Sequence, residues 1–180
     1  MKQALILVDI QNEYFPDGNC PLFNINEVSD RAASLLSFFR EKNLAVIHIK
    51  HIEPTSDAGC FIEGTEGVEI NNKVKPLASE KLIVKNSPNG FLETDLKKCL
   101  EDLNISSLVI CGAMSHMCID ATTRAALDLG FDCSIIQDAC TTMDLEFRGI
   151  EISASSVHAA FMAALEEAGS NVINLSDFTS

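Results

Sequence analysis

The sequence predicts an α/β fold: a doubly wound, mostly parallel sheet with helices on both faces, in a Rossmann-like three-layer sandwich. Three observations predict it. Short continuous apolar runs alternate with longer amphipathic ones along the 180 residues, the pattern of strands buried on both faces and joined by covering helices. The repeated strand-helix-strand units imply right-handed crossovers. The composition, 47% hydrophobic and 6% aromatic with no Trp, is that of an ordinary globular chain. At this length one domain, spanning 1–180, can bury a full core, and there is no linker, repeat or low-complexity tract to divide it.

Taken in order, the strand candidates are ALILV (4–8), LAVIHI (44–49), KLIVK (81–85), SSLVIC (106–111), FDCSII (131–136) and a short NVINL (171–175). INEVSDRAASLLSFFREKN (25–43) reads as a helix capped by Asn24 or Asn26, and TDLKKCLEDLN (94–104) as one capped by Thr94. IDATTRAALDLG follows Cys118 and stops at Gly130, and FRGIEISASSVHAAFMAALEEAG predicts a long last helix ending at Gly169. Between His51 and Lys75 periodicity is weak and glycines stand at 59, 64 and 67, so a long and functional excursion is expected there.

Charge and cysteine usage narrow the function classes. With 13 basic and 26 acidic residues the net charge is -13, which repels phosphate backbones and anionic membranes, so no nucleic acid and no membrane partner is expected. The opening MKQALILVDIQN has a short apolar run ended by Asp9, unlike a signal sequence, and no stretch approaches the length of a membrane span. Seven cysteines without a CxxC pair point to reduced thiols in a cytoplasmic setting, not to a disulfide framework or zinc site.

In a doubly wound sheet, sites lie at the carboxyl ends of the strands. The residues there are Asp9, the stretch His48 to His51, Lys85, the GAMSHMC turn and Gln137-Asp138. An acid, a lysine and a thiol therefore share one edge. A thiol becomes nucleophilic when a positive charge or a helix N-terminus stabilises its thiolate. Lys85 can supply the charge, the helix after Cys118 the partial positive pole, and Asp9 can take the thiol proton and return it to a leaving amine. Singly, each residue has a plainer reading: a buried cysteine, a turn-forming aspartate, a solvated lysine. Their coincidence carries the inference.

LILVDIQNEYF, FIEGTEGVEI, IVKNSPNGFLETDL and LVICGAMSHMCIDATTRAALDLGF, in that order over nearly the whole chain, resemble the isochorismatase-like cysteine hydrolases. The resemblance implies a six-stranded parallel sheet, an Asp-Lys-Cys triad on Asp9, Lys85 and Cys118, and a cis peptide bond between Ala113 and Met114. That bond would turn the Met114 N–H toward the substrate, beside the Cys118 N–H, as an oxyanion hole for a thioester reaction. It further implies a homo-oligomer, dimer or tetramer, acting on a small molecule without a cofactor.

His116, two residues before the thiol, is badly placed for a hydrogen bond to it on either a strand or a helix, which favours a pocket-wall role. Nicotinamidases in the resembled family hold a metal through an Asp-x-His arrangement after the second strand. Here HIKHIEP (48–54) lacks the aspartate, so no metal is expected, and His48 and His51 read as structural. Expected pocket walls are Gln11, Asn12, Tyr14, Phe15, Phe61, Phe91, Met114, His116 and Met117. The thiol favours a carbon–nitrogen bond in a small amide or carbamoyl compound over the vinyl ether that isochorismate hydrolases cleave. A noncatalytic small-ligand-binding α/β protein is the rival of another class.

Overall fold

The computed structural model describes residues 2–55 and 58–180. Six parallel strands form the sheet: β1 (Gln3–Val8), β2 (Ala45–His51), β3 (Lys81–Lys85), β4 (Ser107–Ala113), β5 (Asp132–Thr141) and β8 (Asn171–Ile173). Two short strands, β6 (Leu145–Phe147) and β7 (Ile150–Ile152), pair apart as an antiparallel hairpin. The helices are α1 (Ile25–Glu41), α2 (Leu96–Asp102), α3 (Asp120–Asp128), α4 (Ala154–Glu167) and α5 (Leu175–Thr179). The sheet order β3-β2-β1-β4-β5-β8 reverses direction between β1 and β4, the two central strands. Their carboxyl ends are where such a fold opens a crevice.

The core explains why these runs become strands. Ala4, Leu5, Ile6 and Val8 of β1 and Leu108, Val109, Ile110 and Cys111 of β4 have no exposed surface, so both faces of each strand are covered. Leu35, Leu36 and Phe39 of α1 pack against the sheet, and Phe39 stacks on Phe178 of α5, centroids 6.0 Å apart. Among the described residues no helix is long and apolar enough to cross a membrane.

Several boundaries differ from the sequence reading. The segment predicted as one helix from Phe147 to Gly169 is instead the hairpin followed by α4. Arg148 and Gly149 take positive φ of 52° and 83°, the two-residue turn that matches strand twist. α4 starts only where the Ser153 side chain accepts the Ser156 N–H. Asn24 precedes α1 in a left-handed conformation (φ 49°) and makes no side-chain cap, while Asn26 lies inside the helix. β5 runs on to Thr141, so Gln137 and Asp138 are within the strand and not beyond it.

The excursion after β2, of which Ser56 and Asp57 lie outside the described residues, folds back over the end of β1. Asn12 and Glu13 donate backbone N–H groups to the Glu69 and Gly67 carbonyls. The buried Glu13 carboxylate holds the fold-back together, accepting from the Asn19 N–H at 2.8 Å and from the Phe61 N–H at 3.3 Å. This closure brings Phe61 over the sheet edge.

Candidate active site

Asp9 immediately follows β1 in a left-handed conformation (φ 52°). Aspartate tolerates that better than most residues. Its N–H donates to the Ile49 carbonyl at 3.0 Å, and its side chain is fully buried. Lys85, the last residue of β3, reaches inward from an edge strand and is 1% exposed. Cys118 lies in one wide π-helical turn, Ser115–Ile119, which joins β4 to α3. The thiol therefore precedes the α-helix instead of opening it, in a backbone form that recurs at functional sites.

The structure brings these three residues together. Lys85 Nζ stands 2.7 Å from Asp9 Oδ2 and donates to Cys118 Sγ at 3.2 Å. The third ammonium proton has a partner too, Nδ1 of His51 at 3.0 Å. Both Asp9 oxygens are buried, and neither has a partner in full hydrogen-bond geometry among the described residues, so the contact of Oδ2 with Lys85 is an ion pair. On Lys85 burial acts to lower the pKa, but the negative charge of Asp9 and the interaction with Cys118 outweigh it, and the group is held above its ordinary value.

Burial first, then the Asp9 charge, push Cys118 up to about 12 against the opposing pull of Lys85. Burial and Asp9 thus favour the protonated thiol, and Lys85 favours the thiolate.

A cavity of about 220 Å³ opens in front of Cys118. Tyr14, Phe61, Met114 and Met117 line it as expected from the sequence, and Pro88 and Met143 join them. Tyr14 and Phe61 meet edge to face, 4.9 Å between centroids. The Ala113–Met114 peptide bond is cis, and Met114 and Cys118 both border the cavity.

Five expected wall residues lie elsewhere. Gln11 is fully buried, its amide spanning the His51 and Val68 carbonyls at 2.8 and 2.7 Å, so it ties the excursion to β2. Asn12 bonds the Glu66 carbonyl and the Asn71 amide. Phe15 is in the core, and Phe91 stacks on Phe131. The His116 ring bonds the Thr142 hydroxyl and abuts Phe161. Closeness in sequence to Asp9 or Cys118 did not carry these side chains into the cavity, because neighbours on a strand end or a helical turn point in divergent directions.

His51 and Glu53 are the site residues that the sequence reading passed over. β2 extends through His51, and residues three apart on a strand face opposite sides of the sheet. His48 therefore turns away, to the Glu80 carboxylate at 2.9 Å, while His51 enters the cavity wall. His51 Nε2 meets Glu53 Oε1 at 2.9 Å. Because Lys85 donates to Nδ1, the ring proton is on Nε2, and Glu53 accepts it. Among the described residues, no three His, Cys, Asp or Glu side chains converge as a metal would need.

Comparison with known proteins agrees with this architecture. The family model for the Isochorismatase domain matches residues 3–177. The isochorismatase family protein YddQ of Bacillus subtilis is 47% identical over 165 residues, which covers 92% of each chain. A streptothricin hydrolase of Streptomyces noursei is 32% identical over 143 residues, 79% of this chain and 51% of the relative. A solved isochorismatase-family structure from Oleispira antarctica superposes with a TM-score of 0.95 at 45% identity, covering 99% of this chain and 96% of the other. Matched from its first strand to its last helix in sequence and in fold, the chain belongs to the isochorismatase family and is a hydrolase of that kind.

Proposed function

We propose that this hydrolase is a cysteine-dependent amidase acting on a carbon–nitrogen bond of a small amide or carbamoyl compound. The observation that carries the reading is the Asp9–Lys85–Cys118 cluster, with contacts of 2.7 and 3.2 Å, whose thiol stands at the wall of a small cavity. Asp9 takes the thiol proton as Sγ attacks the carbonyl carbon. The C–S bond forms and the carbonyl electron pair moves onto oxygen. Proton transfer removes the negative charge that opposed the thiolate and leaves the Lys85 charge that favours it, so the thiolate arises only with its electrophile in place. Backbone N–H groups of Cys118 and Met114, both at the cavity wall, are the donors we assign to the oxyanion.

Collapse of the tetrahedral species breaks the C–N bond, and the proton on Asp9 passes to the departing nitrogen. Asp9, again a carboxylate, then takes a proton from water as that water attacks the thioester. The second collapse expels Cys118 as thiolate, which recovers its proton from Asp9. No step calls for a cofactor, and the chemistry suits a cytoplasmic enzyme of small-molecule metabolism, which we place in a homo-oligomer.

The test is intact-protein mass spectrometry during turnover of a panel of small amides. An acyl adduct on Cys118, together with loss of at least about 10³-fold in turnover for Cys118→Ala and no effect of a chelator, is the expected result. Turnover that survives Cys118→Ala overturns the reading.

A further inference from the structure

The charge balance of the cavity carries a prediction about its ligand. Asp9 and Lys85 cancel as an ion pair, and each Lys85 donor is already engaged. Cys118 adds no positive charge in either protonation state, and burial with Asp9 favours the neutral thiol. The His51 ring carries no proton on Nδ1, where it accepts from Lys85. Among the described residues one formal charge remains at the cavity wall, the Glu53 carboxylate, whose side chain is 36% exposed and whose Oε1 alone is taken by His51. Among the described residues no arginine or lysine lines the cavity to offset it. The carboxylate of Glu13 stands behind Phe61 with the same sign, and both acids, after burial and the neighbouring Cys20, help push the Cys60 thiol at the cavity wall up to about 12.

The remaining surface is apolar and sulfur-rich, built by Tyr14, Phe61, Met114, Met117 and Met143. At about 220 Å³ the cavity is smaller than the range of roughly 300–1,000 Å³ that holds drug-sized ligands. An anionic substituent brought here would be desolvated beside Glu53 without a counter-charge, which is strongly unfavourable.

We propose that Glu53 sets the charge of the substrate: a short, largely apolar amide that is neutral or carries a cationic or hydrogen-bond-donating group, with carboxylate-bearing amides rejected. This rests on the amidase reading for the word amide, but the charge rule concerns the cavity itself. It also turns the site away from dicarboxylate vinyl ethers, for which no cationic side chain is available.

Two alkylating agents of nearly equal size, neutral iodoacetamide and anionic iodoacetate, read the rule without turnover. Rates are measured at Cys118 by peptide mass spectrometry on the folded protein and normalised to the same thiol in the urea-unfolded chain. The preference for the neutral reagent is expected to exceed that of the unfolded chain by tenfold or more, as a unit charge some 6 Å away through a partly shielded medium implies. Glu53→Gln, which keeps the shape of the side chain, should cut that excess at least fivefold, read as the ratio of the iodoacetamide to the iodoacetate rate within the variant, so that any change in thiol reactivity common to both reagents cancels. A wild-type preference equal to that of the unfolded chain overturns the proposal, whatever Glu53→Gln does to folding. An undiminished excess in a folded Glu53→Gln overturns the part assigned to Glu53. Charge selection at Cys118 with no amide hydrolysed would sink the amidase reading alone, whereas equal turnover of neutral and carboxylate-bearing amides would sink this inference alone.

Discussion

Lys85 gives its third ammonium proton to Nδ1 of His51, 3.0 Å away. With the Asp9 carboxylate as ion-pair partner and Cys118 as acceptor, a fully buried lysine has three polar neighbours. The group that holds the nucleophile is therefore itself fixed from a third direction, by a ring that Glu53 orients.

Replacing Lys85 by Met should destabilise the fold by about 3–5 kcal/mol, because it strands the Asp9 carboxylate in a site with no water-facing surface. The double variant Asp9→Asn/Lys85→Met should recover most of that loss in urea denaturation while remaining inactive. Equal stabilities for the wild type and Lys85→Met would show that the pair is not a buried ion pair.

Asp9→Asn should separate thiol reactivity from catalysis. Asp9 raises the Cys118 pKa through its charge, while Lys85 lowers it. Without the carboxylate, Lys85 remains unopposed and the folded-state pKa falls from about 12. Alkylation of Cys118 by iodoacetamide between pH 8 and 9 should thus speed up several-fold, although amide turnover drops by about 10²-fold or more for want of a proton carrier. A slower alkylation in this variant would contradict the charge balance.

How far the sequence foretold this arrangement depends on the residue. Asp9, Lys85 and Cys118 were legible together because strand ends of a doubly wound sheet share one edge, and that needs only strand positions to within a residue or two. His51 was obscured by a strand end drawn at Ile49. Two more residues of β2 put His48 and His51 on opposite faces of the sheet, and pairing of His51 with Lys85 in the register then sets the two side by side. Gln11, by contrast, was read as a pocket wall from its nearness to Asp9. Its destination depends on the excursion folding back to offer the Val68 carbonyl 57 residues later in the sequence, which no local pattern encodes. The hairpin was missed because Ile150 and Ile152, whose spacing of two fits strand alternation, stand directly before the helical run of α4, and three residues are too few to set a period against it.

Acid should reveal the role of Glu80. Its carboxyl is pulled down to about 2: burial acts the other way, but Arg40, the Leu77 N–H and His48 all favour the carboxylate. A depressed acid contributes stability that is present above its unfolded value and is lost as the pH falls toward the folded one. The wild type should therefore exceed Glu80→Gln by about 2 kcal/mol at pH 6, and the two should converge between pH 4.5 and 2. A difference independent of pH over that window would remove the ionised form from the account.

Gly112 sets how closely the two strands at the heart of the site approach. It pairs with Val8, the residue before Asp9, in the β1–β4 register, and it takes φ of +125°, a region essentially closed to other residues. A Cβ built there would lie 2.0 Å from the Val8 carbonyl oxygen, and backbone cannot swing aside as a flexible side chain can. Gly112→Ala must therefore either push β1 from β4 or twist the end of β4. Each response costs more than about 3 kcal/mol, since steric overlap and an unfavourable φ act together. Each also moves Asp9 relative to the turn that carries Cys118. We expect a lowered urea midpoint, and, in the fraction that remains folded, a kcat reduced by more than tenfold with KM changed much less, because the proton path is disturbed more than the cavity. If Gly112→Ala unfolds at the wild-type midpoint with unaltered kcat, the strand ends do not hold the reacting groups in place as described.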